Sequence, residues 1–561
     1  MNSNNYIQWT ITLIFGVAIG LFGGLTHPEL FAWHEQNQMF LMTQSYFAER
    51  ISVAGGLADY VSEFLTQFYY YPTLGAVMVA AIMMLLQVML YQILQGRSSK
   101  TTGASWTPFA LSFLPVTILI GLMGDIDMLL SFPVAIGISL ATYLLCRKFG
   151  FAAQLLAALP LYWLAGTAFG IQVLLAIGDE LTGSKTRIAK ALRTTALLAV
   201  AIGWVWICRT LWVAQYPWPT VLAGINYYRL SRMTLDAPAA TYGIMLLMAL
   251  LPWIYRLIDK ALHTALRPAT DVVCASVLGL CIAGDCLMNR TSQNSYDANS
   301  YAMLRQMYLL RKSDWQGIID HARQQLSEHN AFIATPLSGN AVNLALGMTQ
   351  QMSSQMFTLP QRGMRSLVMP NVRDNVSNVA SMEVFWQLGF INESMRYAFD
   401  SQESIANCRK SSRFTQRMAE CNIVNGKYDV ASKYIDLLKQ TLFYSDWAQQ
   451  AEQYLFDEDK ITSYTPWAVR RQYRLEADFL YYYPEMAKML GQLVMHNRQN
   501  RLAYDYFMAA LLLEGNYQSF VANLPQQPQQ GQDPFPQGYR QYVEMMQNSA
   551  NEADAVTGAS Y

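Results

Sequence analysis

Charged residues are scarce in this sequence. Only 14% of its 561 residues are Asp, Glu, Lys or Arg, 53% are hydrophobic, and the formal net charge is zero. A chain without excess positive charge offers no basic surface to a phosphate backbone, so we expect no nucleic acid partner. The charges are also spread unevenly. Residues before about position 288 form a series of apolar runs, and later residues resemble an ordinary soluble protein.

The sequence motifs of soluble enzymes are missing. There is no glycine-rich phosphate loop, no nucleophile elbow, no HExxH and no CxxC. The seven cysteines show no metal-ligand spacing, and most lie in or beside apolar runs. Cys408 and Cys421 lie in the polar half, 13 positions apart, which suits neighbouring helices. The sequence leaves open whether these two form a disulfide.

The apolar runs of the first half have the length of membrane-spanning helices. The first run follows a leader without basic residues, so we expect a retained helix and not a cleaved signal peptide. The stretch 149–177 has Pro160 and Gly166 in its middle, which predicts a hairpin of two short helices. The single spans are expected at 9–25, 74–94, 108–123, 128–145, 195–213, 242–255 and 272–288.

The basic residues indicate how these spans are oriented. With about nine spans, eleven Lys and Arg residues fall on one side of the membrane and four on the other. The more basic side faces the cytoplasm, so we predict a cytoplasmic N-terminus in the inner membrane and a periplasmic C-terminal half. Charges inside the spans are few and near the ends, which argues against a transporter because coupling ions bind near mid-membrane.

The loop at 26–72 is the most patterned polar segment of the first half. It carries five carboxylates, two histidines and one arginine. Apolar residues recur in it at helical spacing on both sides of Gly55 and Gly56, which predicts two amphipathic helices at a membrane face. The loop is either the working surface of the membrane half or a structural cap over the helix bundle.

The second half predicts helix after helix without strand alternation. The segment 425–431 (NGKYDVA) matches the second half of a tetratricopeptide unit, in which a glycine ends one helix and a small alanine lets the next approach. Such a solenoid offers a concave surface to a peptide or protein partner, although a stabilising cap without a ligand is the alternative. Looser copies extend the prediction to helical hairpins at 302–327, 378–405, 411–440 and 484–516.

The predicted fold class is therefore all-α, in two parts. A membrane domain at 1–288 precedes a polar linker at 289–300, and the helical-repeat domain covers 301–524. The remaining segment, 525–561, is a Pro/Gln-rich linker and tail.

Candidate chemistry lies in the predicted outer loops. Glu35 and His34 are adjacent in the loop 26–72, and a carboxylate at an apolar interface can act as a general base. A solvated or capping pair is the alternative, because neighbours on a helix point in different directions.

Two further pairs complete the candidate site residues. Asp125 and Asp127 can hold a divalent cation through oxygen ligands, or Asp127 can cap a helix. Arg229 and Arg232 lie in a later outer loop, where they can clamp a phosphate or anchor the chain at the interface.

This order of parts resembles known membrane enzymes. A first outer loop with amphipathic helices and an acidic residue, a many-span body and outward helical repeats are similar in layout to the multi-span glycosyltransferases that use lipid-linked sugars, including animal O-mannosyltransferases with tetratricopeptide repeats. The resemblance implies Glu35 as the base and Asp125 with Asp127 as the metal site. Over nearly its full length the chain also resembles an uncharacterised family of bacterial membrane proteins with a tetratricopeptide-like C-terminal half, which implies no activity.

Two functions follow as expectations. The first is transfer of a sugar from a polyprenyl phosphate to an acceptor at the outer membrane face, with Glu35 as base, a cation at Asp125 and Asp127, and Arg229 or Arg232 steadying the leaving group. The second is a membrane-anchored scaffold without enzymatic activity, whose helical repeats recruit envelope proteins.

Overall fold

A computed structural model describes most of the chain. The described residues are 3–96, 106–183, 185–223, 239–261, 298–372, 374–405, 409–476, 482–524, 538–540, 542 and 544. These residues form α-helices joined by turns and short 3₁₀ or π segments, and no β-strand occurs among them. The expected all-α class is therefore confirmed for this part of the chain. The predicted span at 272–288 and the segments 289–297 and 545–561 lie outside the described residues.

The chain divides into two compact units. The first comprises Met1–Asp297 and Ala406–Arg409, and the second comprises Ala298–Ile405 and Lys410–Tyr561. The described helices of the first unit are α1 (Ser3–Leu21), α2 (Pro28–Gln36), α3 (Gln44–Ile51), α4 (Gly56–Thr66), α5 (Pro72–Gln95), α6 (Trp106–Leu122), α7 (Ser131–Cys146), α8 (Phe151–Ala165), α9 (Phe169–Thr182), α10 (Arg187–Leu211), α11 (Trp218–Ala223) and α12 (Ala239–Ala261).

Several of these helices are suited to a membrane. Five described segments are long and apolar enough to cross one, namely Tyr6–Thr26, Pro72–Gln95, Phe151–Thr182, Arg187–Leu211 and Ala240–Leu257. Helices α6 and α7 are apolar but shorter. Helices α1 and α10 leave apolar side chains such as Ile14 and Ile202 largely exposed, as a lipid environment requires. These features indicate a membrane protein, and the count of nine spans stays a prediction.

The segment 151–182 reverses direction, as Pro160 and Gly166 predicted. The Gln172 side-chain amide donates to the backbone oxygen of Gln154 over 2.9 Å. In one straight helix these residues would be about 27 Å apart. Gly166 has a φ of +55°, which a glycine adopts without strain. The two helices have 15 and 14 residues, so each is shorter than the hydrocarbon core of about 30 Å.

The second unit contains the helix pairs that the repeat pattern predicted. Its described helices are α13 (Ala298–Arg311), α14 (Trp315–Ser327), α15 (Pro336–Met348), α16 (Met352–Gln355), α17 (Ser377–Leu388), α18 (Ile391–Glu403), α19 (Ser412–Val424), α20 (Tyr428–Lys439), α21 (Ser445–Glu452), α22 (Glu458–Ser463), α23 (Thr465–Tyr473), α24 (Met486–His496), α25 (Arg501–Leu513) and α26 (Tyr517–Ala522). The hairpins predicted at 302–327, 378–405, 411–440 and 484–516 correspond to α13 with α14, α17 with α18, α19 with α20, and α24 with α25.

Side-chain caps define where many of these helices begin. Asp314, Ser411 and Asn500 each accept a hydrogen bond from a backbone N–H in the first turn of the helix that follows. Gly389 ends α17 with a φ of +100°, the left-handed conformation common at helix C-termini. Whether the pairs stack as a tetratricopeptide-like solenoid stays a prediction.

Candidate functional site

Helix α4, in the loop 26–72, buries its polar side. Asp59, Ser62 and Glu63 are at most 5% exposed, whereas Val61 and Phe64 keep part of their surface exposed. In water an amphipathic helix buries the opposite face. The arrangement suits a helix at a membrane interface, where apolar side chains face lipid and polar ones face the protein. It places Asp59 and Glu63, four residues apart, on the same buried face.

Glu63 lies at the centre of a buried ionic network. Its Oε2 accepts a hydrogen bond of 2.5 Å from the Tyr46 hydroxyl and lies 2.9 Å from Arg50 Nε. Arg50 also donates to the Tyr46 hydroxyl over 3.1 Å. Tyr46 and Arg50 both lie on helix α3. The N-cap residue Thr43 fixes where this helix begins and therefore which of its side chains share a face.

The second cation of this network comes from a distant part of the sequence. Arg409 belongs to the first unit, although it lies 346 positions beyond Glu63. Its Nε donates to Glu63 Oε1 over 2.9 Å, and its Nη2 lies 3.8 Å from Asp59 Oδ1. The Arg409 side chain is only 2% exposed. Burying a charge this completely requires compensation, which the two carboxylates supply.

Together with His34, these side chains form what we call the loop cluster: His34, Arg50, Asp59, Glu63 and Arg409. Burial, and then repulsion by Glu63, raise the pKa of Asp59 despite the attraction of Arg409. Two carboxylates and two guanidinium groups leave the cluster without net charge when all four are ionised. Charged groups at this depth interact more strongly than at a surface, because solvent does not screen them.

His34 is the neutral base of the loop cluster. Burial, and then repulsion by Arg409, lower the pKa of His34 to about 4, so its imidazole is uncharged at neutral pH. Its Nε2 is buried and has no hydrogen-bond partner among the described residues. An uncharged imidazole with an unused nitrogen can accept a proton from a hydroxyl group.

Glu35, the predicted base beside His34, lies deep in α2. It is 2% exposed, so the expectation of a solvated pair is wrong and the side chain belongs to the interior. Helix α2 begins with Pro28 in its first turn and ends at Gln36, and most of its side chains are buried. Both predicted catalytic residues are therefore held on one short, buried helix.

The predicted metal pair occupies a turn between α6 and α7. The backbone N–H of Asp127 donates to Asp125 Oδ1 over 2.9 Å, so the first carboxylate shapes the turn. The capping alternative for Asp127 is wrong, because the N-cap residue of α7 is Leu130. Among the described residues no three His, Cys, Asp or Glu side chains lie close enough to hold a metal ion. A cation at this pair would need its remaining ligands from water and a substrate phosphate.

Several other candidate residues lie outside the described part of the chain. Arg229 and Arg232, predicted to bind a phosphate, lie outside the described residues. Cys408 also lies outside them, whereas Cys421 is a buried thiol in α19. Burial raises the pKa of that thiol to about 12. The disulfide between these two cysteines therefore stays an open alternative.

Sequence reasoning missed most of the loop cluster. The spacing of Asp59 and Glu63 on one helical face was a usable signal, and so was Arg50 one helix earlier. Arg409 gave no signal, because nothing local distinguishes it from its exposed neighbour Lys410. Only the fold brings position 409 to the carboxylates of α4.

The comparisons with known proteins identify a family but no activity. Residues 3–560 match the model of the "Family of unknown function (DUF6057)", so the chain belongs to this family. No curated protein and no solved structure matches the sequence significantly. The expectation of an uncharacterised family is confirmed.

Proposed function

We propose that this member of the DUF6057 family is a membrane enzyme that transfers a sugar from a polyprenyl-phosphate carrier to an acceptor at the outer face of the inner membrane. The observation that carries the proposal is His34, a buried and uncharged base with an unused Nε2, in a loop between two apolar helices of membrane-spanning length. Strongly shifted pKa values are enriched at catalytic sites, which makes His34 a candidate base.

The chemistry requires one proton acceptor and stabilisation of a leaving phosphate. The acceptor hydroxyl attacks the anomeric carbon, the bond from that carbon to the phosphate oxygen breaks, and the polyprenyl phosphate leaves with the bonding electrons. His34 Nε2 takes the hydroxyl proton, and Glu35 on the same helix assists it. Arg50 and Arg409 keep the surroundings of the acceptor polar without adding net charge, because Asp59 and Glu63 pair with them.

Further parts of the proposal concern the phosphate and the location. Asp125 and Asp127 would hold a divalent cation that neutralises the phosphate, and Arg229 or Arg232 would bind it directly. The N-terminus is placed in the cytoplasm and the second unit in the periplasm, on the basis of the basic residues between the spans. The second unit would hold the acceptor, as a peptide or protein.

The test is the envelope glycan and glycoprotein profile of cells that carry defined variants. A deletion strain is complemented with the wild type, His34→Gln or Glu35→Gln, and protein levels are matched. His27→Gln and Glu49→Gln are the controls, because both lie in the same loop and Glu49 is exposed. We expect the deletion and both buried variants to lose the same glycan, and the controls to retain it.

The other outcomes separate the site from the activity. If the deletion loses a glycan but His34→Gln and Glu35→Gln do not, the transferase proposal survives and the site assignment is wrong. If the deletion leaves the profile unchanged, the transferase proposal is wrong.

A scaffold without enzymatic activity is the second candidate, and one observation favours it. Asp59 and Glu63 are nearly fully buried and each has an arginine as counter-charge within the protein, so their charges are balanced without any ligand. In this interpretation the loop cluster serves stability, and the helical repeats recruit envelope proteins. An unchanged glycan profile, together with a defined envelope protein cross-linked to the second unit of the full-length protein, would establish this function.

A further inference from the structure

A second buried ionic network lies within the second unit, among α17, α19 and α23. Glu383 on α17 is flanked by two arginines of α19: Arg413 Nη2 lies 3.2 Å from its Oε1, and Arg417 Nη2 lies 2.7 Å from its Oε2. Burial favours the protonated form of Glu383, but the two arginines outweigh burial and hold its pKa below the usual range. Glu383 is therefore a carboxylate whose partners are already in place.

Arg417 also pairs with a second carboxylate and an aromatic ring. Its Nη1 lies 2.9 Å from Glu420 Oε2, and its guanidinium carbon lies 4.2 Å above the centre of the Trp386 ring. The aromatic face attracts a cation through the ring quadrupole, and the effect grows when water is excluded. Trp386 is 5% exposed, so this contact lies in the interior.

Arg470, on α23, forms no close ion pair with any described residue, although Glu383 and Glu420 attract it from a greater distance. Its guanidinium carbon is 5.7 Å from the centre of the Trp386 ring, and its Nη2 donates to the side-chain oxygen of Gln387. Among the described residues it has no ion pair, and its buried Nε has no hydrogen-bond partner. Burial, and then repulsion by Arg417, lower the pKa of Arg470 to about 10, so it remains protonated at neutral pH.

The charges of this network do not balance. Three arginines (Arg413, Arg417 and Arg470) face two carboxylates (Glu383 and Glu420). Arg311 lies near enough to Arg413 to add further repulsion. Burying an unbalanced charge is costly unless a counter-ion joins it. The Arg470 residue as a whole keeps some exposed surface, whereas its Nε is buried, so an anion would have to displace neighbouring side chains to reach that atom.

We propose that Arg470, beside Trp386 and Gln387, forms a binding site for an oxyanion, either a carboxylate or a phosphate group, with Arg417 adding positive charge nearby. The bound anion would accept a hydrogen bond from the buried Nε–H of Arg470, and a second oxygen would lie beside the neighbouring guanidinium nitrogen, as in carboxylate and phosphate pairs with arginine. The Gln387 side-chain oxygen already accepts one hydrogen bond from Nη2 and holds the guanidinium in place. The ligand would supply the negative charge that the network lacks. This site lies apart from the loop cluster and does not depend on the proposed transferase.

The test measures thermal unfolding of the full-length protein in detergent. The midpoint is followed while sodium phosphate or sodium acetate replaces sodium chloride at constant ionic strength and pH. We expect a saturable rise of the midpoint with at least one of the two anions. In Arg470→Met the apparent dissociation constant should rise at least about tenfold, as loss of a charge-assisted contact predicts.

The variant without ligand gives a second, independent readout. Because Arg470 is an uncompensated buried cation, Arg470→Met in chloride should unfold at the same or a higher temperature than the wild type. Arg501→Met is the matched control, since Arg501 is 54% exposed and pairs with Asp505 on its own helix. It should keep the anion response. Arg470→Lys keeps the charge but loses the planar fork, so it should retain a weakened response.

The anion that stabilises the protein identifies the source of the oxyanion. A response to acetate alone assigns a carboxylate site, and a response to phosphate alone assigns a phosphate site. The proposal is overturned if neither anion differs from chloride, or if Arg470→Met responds as the wild type does.

Discussion

Arg409 is the residue on which the loop cluster most depends. Its Nε lies 2.9 Å from Glu63 Oε1, and its Nη2 lies 3.8 Å from Asp59 Oδ1, the closest cation to Asp59 among the described residues. After the burial of His34 itself, the positive charge of Arg409 also lowers the pKa of His34, because it disfavours a second positive charge nearby. At the scale of single residues, burial dominates the pKa shifts of His34 and Asp59, and the Arg409 guanidinium adds to the first shift and opposes the second.

Arg409→Met should destabilise the protein strongly. The substitution leaves Asp59 and Glu63 buried with Arg50 as their remaining cation in the loop cluster. Removing one partner from a buried ionic network costs about 3–5 kcal/mol of the free energy of unfolding. Denaturant unfolding in detergent measures the difference, and Arg409→Lys should recover part of it.

The adjacent Lys410 provides the matched control. Its side chain is 48% exposed, and the side chain of its partner Glu403 is 50% exposed. Lys410→Met should change the free energy of unfolding by less than about 1 kcal/mol. Equal effects of the two substitutions would contradict the role assigned to Arg409.

At the scale of elements, close approach of helices decides the packing of the membrane unit. Gly178 on α9 faces Trp253 on α12, and a Cβ atom built on Gly178 would lie far inside the van der Waals radius of the indole ring. A Cβ atom built on Gly203 of α10 would meet no atom of another described element within 4 Å. Both glycines lie in apolar helices, so the sequence does not distinguish them.

Gly178→Ala and Gly203→Ala should therefore have opposite effects on stability. The first forces α9 and α12 apart or displaces the indole ring, and overpacking of this kind costs about 1–3 kcal/mol. The second adds helix propensity without a clash, and is expected to be neutral or to stabilise by up to about 1 kcal/mol. Thermal midpoints in detergent compare the two. A destabilised Gly203→Ala with an unaffected Gly178→Ala would show that the contact between α9 and α12 is misplaced.

At the scale of the whole molecule, orientation in the membrane decides which loops can do chemistry outside the cytoplasm. The acidic loop 26–72 and the basic loop near Lys185 belong to opposite sides if the basic residues mark the cytoplasm. Both loops contain exposed positions suited to labelling, Ser52 in the first and Lys185 in the second.

Thiol labelling in intact cells tests this orientation. In a background without native cysteines, Ser52→Cys should react with a membrane-impermeant maleimide, and Lys185→Cys should react only after the inner membrane is permeabilised. Both should react fully in detergent, which controls for local access. The reverse pattern would place the loop cluster in the cytoplasm and would exclude transfer at the outer face.

The sequence predicts those structural features that depend on residues close together along the chain. Helix positions such as α13 with α14 followed from the 3.6-residue period, and the reversal at Gly166 followed from proline and glycine chemistry. The site was predicted only in part. His34 and Glu35 were selected as adjacent polar residues in an apolar setting, but their burial was not foreseen. A pairing across 346 positions depends on the path of the whole chain, which no local pattern encodes.

The sequence by itself determined an all-helical chain with an apolar first half and a polar second half, because hydrophobic periodicity and composition act over short stretches. The tertiary structure alone decided which polar groups are buried together. Helix α4 turns its carboxylates inward because Arg409 arrives to compensate them, and Arg470 lacks a carboxylate partner because Glu383 and Glu420 are already paired with other arginines. Burial and pairing of charge depend on residues that meet only when the chain has folded.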